Sequence, residues 1–159
     1  MSTKLEDLAP MVCAAALKAL SELKAAGVQF VVTYTLRTEK EQAALYAQGR
    51  SPLSEVNALR KAAGLYEIKE YLGKDKKVHS DNDYTVTKCD GVKNKSAHQS
   101  GKALDVVPDL DPSEKQTPGW PAPSDPRWGK IAEVFKNHGF IWGGDWKEFP
   151  DYPHYEYVG

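Results

Sequence analysis

Hydrophobic positions change their period several times along this chain, and each change marks an element. From Pro10 to Ala26, Val12, Ala16, Leu20 and Leu23 recur at helical spacing, with Pro at the start and Gly27 as the stop. Val28 to Thr35 is β-branched and aromatic, which predicts a well-buried strand. Thr38-x-x-Glu41 is a capping box and predicts a second helix ending at Gly49. The segment from Leu53 to Asp83 is the least regular: Val56, Leu59 and Ala63 predict a short helix closed by Gly64, and a turn rich in lysine (Lys74, Lys76, Lys77) follows. Tyr84–Thr87 and Ala103–Val107 predict strands, and the proline-rich Asp109–Asp125 predicts a surface loop. Pro126 to Asn137 predicts a helix capped by Asp125 and stopped by Gly139. Phe140 to Tyr157, broken by Gly143-Gly144 and two prolines, predicts two short strands around a turn. Helices and strands in this mixed order describe an α+β fold with a small, mainly antiparallel sheet flanked by helices.

Composition narrows the setting. With 159 residues, the chain is expected to form a single domain over 1–159. The 21 Lys+Arg against 22 Asp+Glu provide no global field for nucleic acid. No apolar run is long enough to insert in a membrane. Two cysteines, Cys13 and Cys89, cannot make a disulfide framework or a Cys-type zinc site. Glu6, Asp7, Pro10 and Lys18 interrupt the N-terminal apolar stretch, so no export signal is read and synthesis in the cytoplasm is expected. A monomer is expected.

Chemistry must come from few residues. Of the four histidines, His98 stands on a small-residue turn seven positions before Asp105, which lies on the predicted strand Ala103–Val107. On that strand Ala103 and Asp105 share one face while Leu104 and Val106 point the other way. An Asp among apolar neighbours needs a partner, and a cation is a suitable one. His154 lies in Asp151-Tyr152-Pro153-His154-Tyr155-Glu156. Two histidines and one carboxylate would leave a zinc ion an open position for water. By spacing alone, His98 and Asp105 could equally be a structural hydrogen-bonded pair. His79, in a polar stretch, is expected to be solvated, and His138 sits at a helix C-terminus that favours a cation. Trp120, Trp128, Trp142 and Trp146 read as core and cleft wall, with Trp120 exposed in the loop.

Three blocks then carry a resemblance. Ser96-Ala97-His98-Gln99-Ser100-Gly101-Lys102-Ala103-Leu104-Asp105 resembles the S-x-H-x-x-G-x-A-x-D motif of the zinc D,D-peptidase/L-alanyl-D-glutamate peptidase family, which includes VanX- and VanY-like enzymes and many phage endolysins. Gly139–Trp146 and Asp151–Glu156 resemble its G-x-x-W-G-G-D-W and D-x-P-H-[FY]-E block. Arg37 with Gln42–Arg50 resembles its R-x-x-x-x-Q-x-x-L-[YF]-x-x-G-R helix. The W-G-G-D-W and D-x-P-H form points to the L-alanyl-D-glutamate endopeptidase branch.

The resemblance implies a hedgehog/DD-peptidase-like fold and one zinc ion held by His98, Asp105 and His154. It makes Asp151 the catalytic base and Arg37 the cation beside the developing oxyanion. Ser96 and Trp142 would orient ligands and wall the pocket, with Glu156 as a carboxylate behind the zinc site. Asp145 and Glu156 compete with Asp151 for the base role, and Arg37 could be only a surface residue near the Thr38 cap. The implied substrate is the peptidoglycan stem peptide, cleaved at L-Ala–D-Glu by a phage or prophage endolysin that a holin-type partner releases to the wall. Rival readings are a D-Ala-D-Ala carboxypeptidase or dipeptidase, and a non-catalytic zinc module that binds wall or partner. Against compact relatives the stretch at about 53–83 is expected to be an insertion, whose lysines could touch anionic wall polymers or simply be solvated, and no separate wall-binding domain is expected.

Overall fold

A computed structural model describes residues 1–113 and 116–159; Glu114 and Lys115 of the predicted loop lie outside the described residues. Contacts group the chain into two compact units, Ser2–Leu36 with Ser100–Gly159, and Arg37–Gln99 with Met1.

The first unit holds α1 (Pro10–Ala25), β1 (Phe30–Tyr34), β4 (Ala103–Pro108), α4 (Pro126–Asn137), β5 (Phe140–Trp142) and β6 (His154–Tyr157). Its sheet is antiparallel throughout, in the order β1-β4-β6-β5. β4 is interior to the sheet and every one of its residues is buried. β1 is an edge strand, so only Val31 of its five residues is buried. The expectation of a well-buried strand over Val28–Thr35 is corrected accordingly: apolar composition predicted the strand but not its place at the edge. α1 buries Val12, Ala16, Ala19, Leu20 and Leu23, and α4 buries Trp128, Ile131, Ala132 and Phe135. Most of these side chains join Leu104, Val106, Phe140 and Tyr155 in one core, where Phe135 stacks on Tyr155 at 4.4 Å between ring centroids. Each large apolar side chain so buried contributes about 1.5–3 kcal/mol before entropy is subtracted. Pro126 opens α4 behind Asp125, whose carboxylate accepts the Arg127 N–H at 3.0 Å.

The second unit contains α2 (Glu39–Ala47), α3 (Leu53–Ala62) and a hairpin of β2 (Glu70–Leu72) and β3 (Val78–Ser80). The capping box forms as predicted: Glu41 N–H donates to Thr38 Oγ1 at 3.2 Å, and Thr38 N–H donates to Glu41 Oε2 at 2.7 Å. The lysine-rich turn is the tip of the hairpin, whose three-residue strands are too short to show alternation in sequence. His79 is not simply solvated as expected; its ring is half-buried, 3.0 Å from Asp75 and 3.5 Å from Asp83. Tyr84–Thr87 is not a strand. A 3-10 turn at Asp81–Asp83 precedes it, and no strand pairs with it among the described residues. β propensity without a neighbouring strand does not make a ladder. No helix among the described residues is long and apolar enough to cross a membrane.

Candidate metal and catalytic site

The register of β4 against β6 builds the centre of the site. Asp105 lies directly opposite His154, Leu104 opposite Tyr155, and Ala103 opposite Glu156. Because side chains alternate, Leu104 and Tyr155 enter the core while Asp105, His154 and Glu156 share the other face. His154 Nδ1 lies 3.3 Å from Asp105 Oδ1, and its Nε2 lies 3.6 Å from Glu156 Oε2.

His98 stands on the 3-10 turn Ala97–Ser100, which runs through Gly101 into β4. Gly101 has φ +65°, and a Cβ there would come within 2.8 Å of the Ala9 backbone nitrogen; its carbonyl accepts the Ala9 N–H at 3.0 Å. The motif's glycine is therefore required by both conformation and space. His98, Asp105 and His154 are all buried, and one ligand atom from each lies within 4.8 Å of the others.

Burial works against a charge on the His154 imidazole, but Asp105, Glu156 and Asp151 outweigh it and raise the group to about 9. The pocket is thus built to receive positive charge. Two imidazoles and a carboxylate within reach of one point are a donor set that suits zinc, with room left for a water or substrate atom.

Asp151 is brought to this face by the turn after Gly143–Asp145. Its N–H donates to the Gly143 carbonyl at 2.9 Å, and its own carbonyl accepts the His154 N–H at 3.2 Å. Gly143 is packed so tightly that a Cβ would lie 3.2 Å from Asp151 Cβ and 3.1 Å from His154 Cβ. Trp142 Nε1 donates to the Tyr152 carbonyl at 2.8 Å, and its ring meets Tyr152 edge-on. It braces the turn that carries Asp151. Asp145, a rival for the base role, faces away to Lys136 Nζ at 2.6 Å. Glu156 faces His154 Nε2. Arg37 is half-buried, its N–H donating to the His98 carbonyl at 3.2 Å. Ser96 is buried at the start of the His98 turn, and its N–H donates to Gln99 Oε1 at 3.0 Å.

Trp146, read from the sequence as core or cleft wall, packs its ring 5.2 Å from that of His154. One residue was given no role by the sequence. Gln42, in the helix block, is fully buried and accepts from Arg37 Nη1 at 3.0 Å.

Comparison with known proteins agrees with this geometry. The profile of a family described as D-alanyl-D-alanine carboxypeptidase matches residues 90–157. The peptidoglycan L-alanyl-D-glutamate endopeptidase CwlK of Bacillus subtilis (strain 168) is 31% identical over 157 residues, which cover 96% of this chain and 74% of CwlK. The chain belongs to the zinc D,D-peptidase/L-alanyl-D-glutamate peptidase family. As a member of that family it is a zinc metallopeptidase. The fold agrees as well. The Serratia marcescens L-Ala D-Glu endopeptidase ChiX superposes with a TM-score of 0.51 at 19% identity, covering 97% of this chain and 83% of ChiX. A vancomycin-resistance D,D-pentapeptidase VanY in complex with Zn(II) superposes with a TM-score of 0.56 at 21% identity, covering 96% and 73%. The hedgehog/DD-peptidase-like architecture expected from the motifs is thereby established.

Proposed function

We propose that this zinc peptidase hydrolyses the L-Ala–D-Glu bond of the peptidoglycan stem peptide. His98, Asp105 and His154 would hold one zinc ion, with Asp151 as general base and Arg37 as the cation beside the oxyanion. The observation that carries the proposal is the cluster of His98, Asp105 and His154, with Asp151 on the turn into His154, its carbonyl accepting the His154 N–H at 3.2 Å. Zinc bound there would lower the pKa of its water from ~15.7 to about 7 and polarise the scissile carbonyl.

The chain's own residues supply the rest. Asp151 accepts the proton of the attacking water and passes it to the amine of D-Glu as the C–N bond breaks. The L-Ala carbonyl becomes a carboxylate on the glycan side. Arg37 keeps its charge at every working pH and stabilises the negative charge that develops on the carbonyl oxygen. Glu156 orients the His154 ring from its Nε2 side. Trp146, 37% exposed against that ring, walls the site.

The choice of bond is supported by CwlK, named for that cleavage, and by the Asp151-x-x-His154 form. A second reading, D-Ala-D-Ala carboxypeptidase, is favoured by the description of the family profile and by the likeness to VanY. The phage endolysin setting, with cytoplasmic synthesis and holin-dependent release, is part of the proposal and rests on the motif resemblance. Its test is co-expression: cells making the protein should lyse only when a pore-forming protein is supplied.

Mass spectrometry of fragments released from purified peptidoglycan tests the bond. New N-terminal D-Glu, lost on zinc removal and restored by zinc, is the expected result. Release of D-Ala would move the enzyme to the carboxypeptidase reading. No release by zinc-loaded protein from several wall types would favour a binding module. Asp151→Ala should keep zinc and lose hydrolysis by a factor of about 10²–10⁴; full hydrolysis by that variant refutes Asp151 as the base.

A further inference from the structure

Arg37 precedes the α2 capping box, and Gln42 follows it. Gln42 is fully buried, so it does not reach substrate, and both ends of its amide are engaged. Its Oε1 accepts from Arg37 Nη1 at 3.0 Å, and its Nε2 donates to the Cys89 carbonyl at 2.6 Å and to Thr87 Oγ1 at 3.5 Å. The amide has one workable orientation: flipped, it would set its NH₂ against the guanidinium and its oxygen against the Cys89 carbonyl.

The segment behind Gln42 is itself held. Cys89 N–H donates to Thr87 Oγ1 at 3.2 Å. Gly91 has φ +83°, and a Cβ there would sit 2.6 Å from Gln42 Cγ. The Gly91 carbonyl accepts from Gln99 Nε2 at 3.0 Å, and Gln99 Oε1 accepts the Ser96 N–H at 3.0 Å. One strip of backbone, Thr87–Gly91, therefore presses on the Gln42 amide and is hooked to the turn that carries His98.

We infer that Gln42, braced by Cys89 and Gly91, is the positioning residue for the Arg37 guanidinium. The inference rests on the proposed role of Arg37 at the oxyanion. A guanidinium on a long side chain loses rotamer freedom when it is fixed, and its strength as an oxyanion partner depends on being fixed before the charge develops. Gln42 supplies that fixation from a buried position, and the Thr87–Gly91 segment keeps Gln42 from turning.

The test uses the zinc-loaded full chain with Arg37→Ala, Gln42→Leu, Gly91→Ala and the double variant Arg37→Ala/Gln42→Leu. Zinc content and kcat and KM for wall fragments are measured for each. Arg37→Ala should lower kcat by a factor of about 10²–10³, the loss seen on removing one oxyanion donor. Gln42→Leu should lower it about 10- to 100-fold, with KM little changed and one zinc retained, because it loosens the cation without removing it. The double variant should be no slower than Arg37→Ala. Parental kcat for Gln42→Leu, or losses that multiply in the double variant, would overturn the inference.

Gly91→Ala carries the test if Gln42→Leu does not fold. It adds one methyl against Gln42 Cγ and should reproduce the fall in kcat; parental kcat overturns the inference. NMR of the Arg37 Nη hydrogens separates the clamp from the catalytic role. In the parent these should exchange and rotate slowly, and in Gln42→Leu quickly. If Arg37→Ala hydrolyses at the parental rate, Arg37 has no catalytic part and the proposed mechanism is wrong there. The Nη signals then decide the clamp alone, and equal exchange in parent and Gln42→Leu overturns it.

Discussion

Gly143→Ala tests whether the turn carrying Asp151 is set by packing. The added Cβ would lie 3.1 Å from His154 Cβ and 3.2 Å from Asp151 Cβ, and would overlap the Asp151 carbonyl. Carbon atoms pack at about 3.5–4.0 Å, so the Asp151 segment must retreat by roughly half an ångström or more. Neither neighbour is the far end of a flexible side chain, and retreat strains the 2.9 Å bond from Asp151 N–H to the Gly143 carbonyl. Overpacking of this kind costs about 1–3 kcal/mol, which in a chain of this size lowers Tm on the order of 5 °C. Activity should fall further than stability does, because misplacing a reacting group by about 1 Å can cost on the order of 100-fold in rate. Urea and thermal unfolding of zinc-loaded protein would be measured beside fragment release from peptidoglycan. A variant that melts with the parent and cleaves at its rate refutes the packing argument.

The same substitution at Gly129, in the exposed interior of α4, meets nothing within 4 Å and should stabilise by about 1 kcal/mol in urea unfolding. Phe135→Ala removes a fully buried ring that stacks on Tyr155 and meets Phe140 edge-on, and should cost about 3–5 kcal/mol in the same assay. Asp125 is held down to about 2 by the Arg127 side chain and N–H, from an ordinary 3.8. Since the folded value is the lower one, its contribution to stability is complete above pH 3.8 and is lost as pH falls from there through about 2. Asp125→Asn still caps α4 but does not ionise, so the slope of unfolding free energy between pH 2 and 4 should flatten; an unchanged slope refutes the assignment.

What the sequence disclosed follows from where the signal was local. Val12, Ala16, Leu20 and Leu23 form a stripe that any helix must bury, and all four are buried. Thr38 and Glu41 satisfy each other within four residues, so their capping box is written in the chain. Asp105 and His154 are 49 residues apart, and composition says nothing of their meeting. The motif resemblance bridged that distance by carrying knowledge of a fold. Where neither local rule nor motif applied, the sequence was silent. The three-residue strands of the β2–β3 hairpin give no period to detect, and Tyr84–Thr87 has strand-like residues with no partner strand among the described residues. Gln42 entered only as the glutamine of the helix block, because what a buried glutamine holds is set by partners that the fold supplies.

The face that carries the chemistry is held in place by the face that does not. In an antiparallel pair a slip of one residue sends every side chain to the opposite side of the sheet. Were β6 to slip by one against β4, Asp105 would face Tyr155, and His154 would turn toward the core beside Phe135. What opposes the slip is the Leu104–Tyr155 pair, both fully buried, with Tyr155 stacked on Phe135. The Pro153 carbonyl, accepting Val106 N–H at 2.8 Å just before β6 begins, pins the same register from the backbone. Tyr155→Ala should therefore do more than open a cavity. Stability should fall by about 3–5 kcal/mol, and the fraction that remains folded should bind zinc more weakly than the parent, because the constraint that sets Asp105 opposite His154 is gone. Competition with a chromogenic chelator on folded protein would read this directly. Zinc affinity unchanged in a destabilised Tyr155→Ala would mean that the register is fixed elsewhere, with the turn around Gly143 as the next place to test.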